Sequence, residues 1–144
     1  MSRRSALIRT IAFSAAHRYW RPDWTEGENV RVFGPQSNRH GHDYRVEVTV
    51  SGTPDPETGF VVDLQALDRV LDDVIGPLDN RDLNEAIPEV REGRMLPSTE
   101  ALALWFWDRL EARIPGDASL ERVRVQEGRE VAGEVSRPLP VEAE

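Results

Sequence analysis

The sequence predicts an α+β domain whose antiparallel sheet is built from strands at both ends of the chain, with two helices between them. Two observations lead to this prediction. Towards both ends of the chain, apolar residues alternate at period two, as they do in half-buried strands. In the middle, apolar residues recur at helical spacing. The resulting order, ββααββ, segregates helices from strands, which is typical of the α+β class.

The strands of the first half of the chain have clear faces. Residues 6–17 predict a strand, and residues 42–52 predict a second one that pairs with it antiparallel. Residues 20–39 have no periodicity and are predicted to be a long loop, and 54–59 have turn composition. One face of each strand is mainly apolar: Ile11, Phe13, Ala15 and His17 on the first, and His42, Tyr44, Val46, Val48 and Val50 on the second.

The second half of the chain predicts both helices and the last two strands. The first helix begins at the N-cap Asp63 and ends at Gly76-Pro77, and residues 77–97 are predicted to be loop. The second helix runs from Ser98 or Thr99 to Arg113, and its middle, 101–107, is apolar all round, which predicts burial on more than one side. Residues 120–127 and 129–136 are predicted strands around a turn, followed by a loose tail.

Length and composition predict a single domain and exclude several functional classes. The chain has 144 residues, a net charge of -8 and no cysteine. We expect one domain over 1–144, with an ordered core at about 6–136. The acidic charge argues against general nucleic-acid binding, because phosphates attract the opposite sign. The lack of cysteine excludes disulfides, thiolate zinc sites, Fe–S clusters and a cysteine nucleophile.

No segment predicts contact with a membrane. The longest apolar run, 101–107, is far shorter than a bilayer span, and no apolar signal core follows the basic N-terminal residues. We therefore expect a cytoplasmic protein with no membrane partner.

His17, His40 and His42 are the only histidines in the sequence, and the predicted strands bring them together. His40 and His42 are two residues apart on a strand, so they share a face, and His17 ends the neighbouring strand. Three imidazoles with one open position are typical of catalytic zinc, and imidazole also suits iron, copper or nickel. In the alternative interpretation, His40 caps a turn and His42 lies half-buried beside Tyr44.

Six short motifs, in the same order along the chain, resemble the 6-pyruvoyltetrahydropterin synthase and 6-carboxytetrahydropterin synthase family. Together they cover about residues 8–136. They are Phe-Ser-Ala-Ala-His at 13–17, His-Gly-His-Asp-Tyr at 40–44, Gly-Phe-Val-Val-Asp-Leu at 59–64, Pro-Leu-Asp-Asn-Arg-Asp-Leu-Asn at 77–84, Pro-Ser-Thr-Glu at 97–100 and Val-Arg-Val-Gln-Glu at 123–127.

The resemblance implies the tunnelling fold (T-fold), in which ββααββ subunits carry two helices on one face of the sheet. Such a sheet closes into a barrel only by association, usually as a homo-hexamer of two trimers, because an open sheet leaves backbone groups unpaired at its edges. The resemblance also implies a zinc-dependent lyase acting on 7,8-dihydroneopterin triphosphate or a related dihydropterin. Biopterin, folate and deazapurine routes all use this scaffold.

The resemblance also assigns roles to individual residues. It assigns zinc binding to the three histidines and pterin recognition to Glu127, whose carboxylate can accept two parallel N–H bonds from a guanidine-like edge. Thr99 and Glu100 correspond to further pocket residues. Without the resemblance, Glu127 is an exposed strand carboxylate, and Glu100 is an acid stabilised by the dipole of its helix.

Two positions depart from the family pattern. Gln36 lies where the family has its catalytic Cys, or Glu in a sister group, and Asn80 lies where its Asp-His pair has His; Asp79 is retained. Neither Gln nor Asn is a base. A positioned acid or base contributes about 10²–10⁴-fold in rate, so ordinary triphosphate elimination is expected to be nearly abolished. The carboxylates that could replace the base are Asp79, Glu26, Glu28 and Asp43, the last on the strand face opposite His42.

These departures leave three functions open. The first is a lyase with an atypical base, cleaving a carbon–oxygen or carbon–carbon bond. The second is a catalytically silent paralogue that binds zinc and a pterin, as a carrier, a sensor or a subunit of a mixed oligomer. The third is a family member that acts on a non-pterin substrate.

Overall fold

The computed structural model describes residues 3–138. The predicted tail, 137–144, therefore lies mostly outside the described residues. The strands are Ser5–His17 (β1), His40–Gly52 (β2), Arg81–Asp82 (β3), Ser119–Glu127 (β4) and Val131–Ser136 (β5). The helices are Glu26–Phe33 (α1), Leu64–Ile75 (α2), Leu83–Ala86 (α3), Pro88–Arg91 (α4) and Thr99–Leu110 (α5). Short 3-10 helices cover Gly34–Ser37, Gly76–Leu78 and Glu111–Arg113.

The five strands form one sheet in the order β3-β1-β2-β4-β5. The four long strands pair antiparallel, which confirms the predicted α+β class and the ββααββ order of the main elements. The two-residue β3 was not predicted. It pairs parallel with Ala15 and Ala16 of β1, which makes the sheet mixed at one edge.

Two segments predicted as loops contain short helices. In 20–39, α1 begins at the N-cap Thr25, whose hydroxyl accepts a hydrogen bond from the Glu28 N–H. The buried Asn29 side chain bonds to the backbone of Arg21 and Thr25. In 77–97, Asp82 caps the four-residue helix α3 through the Asn84 N–H. Polar caps, rather than apolar periodicity, organise these helices, so a periodicity search misses them.

The core lies between one face of the sheet and the helices α2 and α5. The apolar faces predicted for β1 and β2 are the ones that turn inward, with Phe13 and Tyr44 stacked at 4.9 Å between ring centroids. Both predicted helix starts are confirmed: Asp63 caps α2 and Ser98 caps α5 by accepting hydrogen bonds from backbone N–H groups of the first turn. Both helices cover the same face of the sheet, and the end of β1 lies beside Pro97, just before the start of α5.

Within the chain, α5 buries only one side, although its apolar middle predicts burial on more than one. Leu104 remains 53% exposed. The Trp105 indole donates to Glu89 and lies under the Arg109 guanidinium, 3.7 Å from the ring centroid. Charged side chains thus cover the outer aromatic surface of α5 without a second subunit.

The sheet does not close on itself within the chain. On the outer side of β1, the short β3 pairs only with Ala15 and Ala16, so the part of β1 before these residues is an edge, as is β5. Free edges of this length are paired or covered in stable proteins, and closure by association into a barrel satisfies them. Over residues 3–138, no helix is both long and apolar enough to cross a membrane.

We predict that Glu89 contributes to stability in a pH-dependent way. The hydrogen bond from the Trp105 indole, assisted by Arg109, lowers the pKa of Glu89 to about 2 from its usual 4.5. The stabilisation is therefore present above pH 4.5 and is lost as the pH falls towards 2. Glu89→Gln should lower the free energy of unfolding at pH 7 by about 1 kcal/mol, a value typical of a partly exposed pair.

Denaturant titrations at pH 7 and at low pH measure this difference. The exposed turn residue Glu57 supplies the matched control, Glu57→Gln. A Glu89→Gln penalty that stays the same at both pH values would contradict the assignment.

We predict that Gly133 allows β5 to pass close to the start of α5. A Cβ atom placed on Gly133 would lie 2.5 Å from the backbone nitrogen of Glu100. Gly133→Ala should therefore destabilise the fold by about 1–3 kcal/mol, as overpacking of a core does. Gly27→Ala is the control, because no atom lies within 4 Å of its added Cβ. Equal melting temperatures for the two variants would contradict the prediction.

Candidate metal centre at the end of the sheet

The pairing of β1 with β2 brings the three histidines to one end of the sheet, as predicted. His17 lies directly opposite His40 in the antiparallel register, and His42 lies opposite Ala15. The ring centroid of His17 is 4.7 Å from that of His40 and 5.0 Å from that of His42. His17 is fully buried, whereas the other two are partly exposed. The cluster therefore has a closed side at β1 and an accessible side at the start of β2.

Backbone carbonyls fix the orientation of two of the imidazoles. The Nδ1–H of His17 donates to the Pro97 carbonyl at 3.0 Å, and that of His40 donates to the Asn38 carbonyl at 2.7 Å. In each ring the Nε2 atom is then left with its lone pair. Fixing the outer nitrogen in this way is how proteins orient metal-binding imidazoles.

The donor atoms fit a single metal ion. One nitrogen from each of the three histidines lies within 4.8 Å of the others. For bonds of about 2.0–2.1 Å, the ligands of one tetrahedral zinc are about 3.3 Å apart, so small side-chain rotations suffice. The Nε2 atoms of His17 and His42 are buried and make no hydrogen bond among the described residues. Buried polar atoms without a partner need an explanation, and a shared ligand supplies one.

Burial and mutual repulsion keep the innermost imidazole uncharged. Desolvation, followed by the neighbouring His40 and His42, lowers the pKa of His17 to about 4. At neutral pH, His17 therefore presents a free lone pair rather than a proton, which is the form that binds metal.

Glu127 approaches the histidines from β4. It lies opposite Tyr44 in the β2–β4 register, so its side chain shares the face of His42. Its Oε1 is 3.1 Å from the Nε2 of His42, and its Oε2 is 3.9 Å from the Nε2 of His17. The carboxylate is only 13% exposed. It is therefore part of the same cluster, not the exposed strand acid of the alternative interpretation.

Two tyrosines beside the cluster were not identified from the sequence as site residues. The Tyr44 hydroxyl is 3.1 Å from the Nδ1 of His17, and the Tyr19 ring is 5.2 Å from that of His17. Burial, together with the negative charge of Glu127, raises the pKa of both hydroxyls, that of Tyr19 to about 12. For Tyr44, its spacing of two residues from His42 on the same face of β2 was the available signal, whereas Tyr19 follows the end of β1 and had none.

The start of α5 lies next to the cluster. Thr99 is buried, and its hydroxyl donates to the Glu100 carboxylate at 2.6 Å, which lowers the pKa of Glu100. The negative charge of Glu100 also raises the pKa of Tyr19. The Pro97 carbonyl, just before the helix, accepts the hydrogen bond from the Nδ1–H of His17. The Pro-Ser-Thr-Glu motif thus both caps the helix and borders the cluster.

The residues at the family's catalytic positions lie elsewhere. Gln36 is exposed in a 3-10 helix, where its backbone carbonyl accepts a hydrogen bond from the backbone N–H of Tyr19. The Asp79 carboxylate accepts from the Ser14 N–H at the outer edge of β1. Asn80, with a φ of 59°, lines a cavity of about 570 Å³ that also borders His42. None of these three side chains is in hydrogen-bond contact with the histidines in the described part of the chain.

The other candidate bases are also displaced from the cluster. Asp43 lies on the face opposite His42, as predicted, and accepts a hydrogen bond from the Ser14 hydroxyl at 2.7 Å. Glu26 and Glu28 are exposed in the first turn of α1. Over residues 3–138, Glu127 is the carboxylate whose oxygen lies in direct contact with a histidine nitrogen.

A scan against family models matches residues 6–138 to 6-pyruvoyl tetrahydropterin synthase. The chain is 37% identical over 124 residues to the human 6-pyruvoyl tetrahydrobiopterin synthase, covering 84% of this chain and 83% of that protein. It is 32% identical over 132 residues to a dihydroneopterin monophosphate aldolase of Pyrococcus furiosus, covering 92% of this chain and 97% of that one.

Among solved structures, the 6-pyruvoyl tetrahydropterin synthase of Caenorhabditis elegans superposes with a TM-score of 0.85 at 25% identity. The superposition covers 94% of this chain and 97% of that one. The likeness therefore extends over nearly the full length of both chains.

We predict that Asn84 holds the backbone immediately after His17. Its side-chain oxygen accepts from the Arg18 N–H at 2.8 Å, and its amide donates to the Arg18 carbonyl at 3.0 Å. Asn84→Ala should lower the free energy of unfolding by about 1–3 kcal/mol, because both backbone groups lose their partner. Asn84→Asp keeps the acceptor and loses the donor, so its effect in denaturant titrations should be intermediate. An alanine variant as stable as wild type would contradict this role.

Proposed function

Because the chain belongs to the 6-pyruvoyl tetrahydropterin synthase family, we propose that it is a zinc-dependent lyase acting on 7,8-dihydroneopterin triphosphate or a related dihydropterin. The observation that carries this proposal is the convergence of three imidazoles and the Glu127 carboxylate at one end of the sheet. The catalytic base is not the family's Cys or His, since Gln36 and Asn80 occupy those positions.

His17, His40 and His42 would hold the zinc ion through their Nε2 atoms. The chemistry that zinc supplies is that of a Lewis acid, which orients the hydroxyls of the substrate side chain and makes them more acidic. Three neutral imidazoles leave one position open for the substrate, the arrangement of catalytic rather than structural zinc. The absence of cysteine makes imidazole the natural choice of ligand in this chain.

Glu127 would recognise the pterin ring, with Thr99 and Glu100 as further pocket residues. The Glu127 carboxylate can accept two parallel N–H bonds from the amino-pyrimidine edge of the ring. Its low exposure strengthens such charge-assisted bonds, because water competes less there. Tyr19 would line the same pocket, and the fully buried Tyr44 would lie behind His17; with hydroxyls of raised pKa, both stay protonated.

Among lyase reactions, cleavage of a carbon–carbon bond suits these residues best. Elimination of triphosphate requires a base positioned to remove a proton from carbon, and the family's groups for this step are replaced by Gln36 and Asn80. A retro-aldol cleavage instead begins at the hydroxyl on C2′, an oxygen acid whose proton needs a weaker base. The similarity to an aldolase over 97% of that protein's length supports this choice.

The proposed reaction balances without a further reactant. The C2′ hydroxyl loses its proton, the C1′–C2′ bond breaks, and C2′ becomes an aldehyde carbon. The electron pair passes to C1′, where conjugation with the ring's imine stabilises it, and C1′ takes up a proton. The products are 6-hydroxymethyl-7,8-dihydropterin and a glycolaldehyde that keeps whatever phosphate groups the substrate carried: glycolaldehyde phosphate from the monophosphate, glycolaldehyde triphosphate from the triphosphate.

We also propose that the chain assembles as a homo-hexamer of two trimers. The open edges of β1 and β5 provide the surfaces for barrel closure. Asp79 and Asn80 lie at the β1 edge, so closure places them at a subunit boundary. Asp79, the retained member of the family's Asp-His pair, would then act as the base in the active site of a neighbouring subunit.

A sedimentation experiment showing a stable monomer would contradict the assembly.

The silent paralogue is the second candidate, and a different observation favours it: both usual proton-transfer positions carry amides, Gln36 and Asn80. In that case the histidines and Glu127 bind zinc and pterin without turnover. A member acting on a non-pterin substrate differs from both, since its binding would not depend on Glu127.

We predict that zinc-loaded protein converts 7,8-dihydroneopterin monophosphate or triphosphate to hydroxymethyl-dihydropterin, as measured by chromatography of the products. Removing a ligand in His42→Ala should reduce turnover by at least about 10²-fold, the lower range for loss of a positioned catalytic group. Protein stripped by a chelator and reloaded with zinc is the control. If the dihydropterin binds but is recovered unchanged, the lyase proposal is overturned in favour of the silent paralogue. If the dihydropterin does not bind, a non-pterin substrate is favoured.

A further inference from the structure

The sheet face that the helices leave uncovered carries three arginines that the proposed reaction does not use. Arg45 lies on β2, and Arg122 and Arg124 lie on β4, where they alternate with the buried valines of those strands. His42 and Glu127 belong to the opposite, helix-covered face. The three guanidinium groups thus form an arginine patch that the sheet separates from the metal centre.

Two of the three arginines have no carboxylate partner. Arg122 takes both nearby acids, since its guanidinium lies 3.1 Å from Glu134 and 3.6 Å from Glu47. Arg45 and Arg124 form no ion pair with any residue of the described range, 3–138. The Nε of Arg124 is also buried and has no hydrogen-bond partner within that range. A buried donor without an acceptor is unfavourable, which indicates that the acceptor comes from outside the chain.

Closure of the barrel turns the arginine patch inward. Four long strands from each chain give a trimer twelve, and at a spacing of about 4.8 Å they enclose a barrel only about 18–20 Å across. Helices are about 10–12 Å thick, so α2 and α5 of three chains do not fit inside and lie on the outer surface. The uncovered face then lines the lumen, where Arg45 and Arg124 of three chains face one another.

The neighbouring chain supplies no acid from β1 to neutralise these arginines. In the proposed barrel, the free edge of β1 in one chain meets β5 of the next. The β1 residues on the arginine face are uncharged: Ala6, Ile8, Thr10, Ala12 and Ser14. Asp43, on the same face of β2, already accepts a hydrogen bond from the Ser14 hydroxyl. Six like charges in a narrow lumen with low-dielectric walls repel one another and concentrate anions.

We propose that Arg45 and Arg124 of three chains form a binding site for an inorganic phosphate anion on the three-fold axis of the barrel. Guanidinium groups match phosphate, because their N–H donors pair with its oxygens two at a time. A tetrahedral phosphate can direct three oxygens towards three equivalent chains around the axis. The site rests on the proposed assembly but not on the proposed lyase activity, and the bound anion offsets the repulsion that closure creates.

Equilibrium dialysis with radioactive inorganic phosphate tests this site. The zinc-loaded wild-type protein should bind one phosphate for every three chains. Arg124→Gln should weaken phosphate binding by at least about 10-fold, as expected when charge-assisted hydrogen bonds are lost, and Arg45→Gln should act in the same direction. Arg129→Gln is the matched control, because Arg129 is exposed in the turn after β4. This control should bind phosphate as wild type does.

Thermal stability provides a second measurement, which also guards against misfolding of the variant. Without phosphate, Arg124→Gln should melt at or above the temperature of wild type, because three repelling charges have left the lumen. Phosphate should raise the melting temperature of wild type more than that of Arg124→Gln, since a ligand stabilises the state that binds it. Equal gains in the two proteins, or phosphate binding unchanged in Arg124→Gln, would overturn the proposal.

His42→Ala separates the arginine site from the metal centre. Phosphate held by the arginines should bind His42→Ala as tightly as wild type, still at one for every three chains. Phosphate held by zinc would instead bind once per chain and be lost in His42→Ala, which would overturn the proposal.

Sedimentation separates this inference from the proposed assembly and function. A hexamer that binds no phosphate would contradict the arginine site alone, whereas a monomer would contradict both the assembly and the site. Turnover of a dihydropterin is measured independently, so its failure leaves the phosphate result intact.

Discussion

The candidate site depends on the antiparallel register between β1 and β2. In this register His17 faces His40, and His42 follows on the same face of the sheet. Because side chains alternate between faces with period two, a shift by one residue would turn His40 and His42 away from His17 and expose the apolar face of β2. The hydrophobic core, through the stacked pair of Phe13 and Tyr44, therefore fixes the same register that assembles the metal centre.

Once this register is set, residues outside β1 and β2 orient the imidazole rings and hold the backbone beside them. The carbonyl of Pro97, just before α5, orients His17, and the carbonyl of Asn38 orients His40. Asn84, from the segment between the two long helices, binds the backbone after His17. The family motifs at 77–84 and 97–100 thus support the histidines, and not only the substrate pocket.

The sequence alone predicted the fold class, the order of the main elements, both long-helix N-caps and the grouping of the three histidines. These features follow from local rules: period-two patterns, capping residues and two-residue spacing on a strand. It did not predict α1, because that helix rests on Thr25 and on the buried side chain of Asn29 rather than on apolar periodicity. Nor did it predict the contact of Glu127 with His42, because this contact depends on the β2–β4 register, which joins residues far apart in the chain.

The most direct test of this account is a crystal structure of the zinc-loaded protein, with zinc located by its anomalous scattering. The account predicts one zinc site per chain, with the Nε2 atoms of His17, His40 and His42 at about 2.0–2.1 Å from the ion. Zinc bound elsewhere in the chain, or no zinc after loading, would contradict the assignment of this end of the sheet as the metal centre.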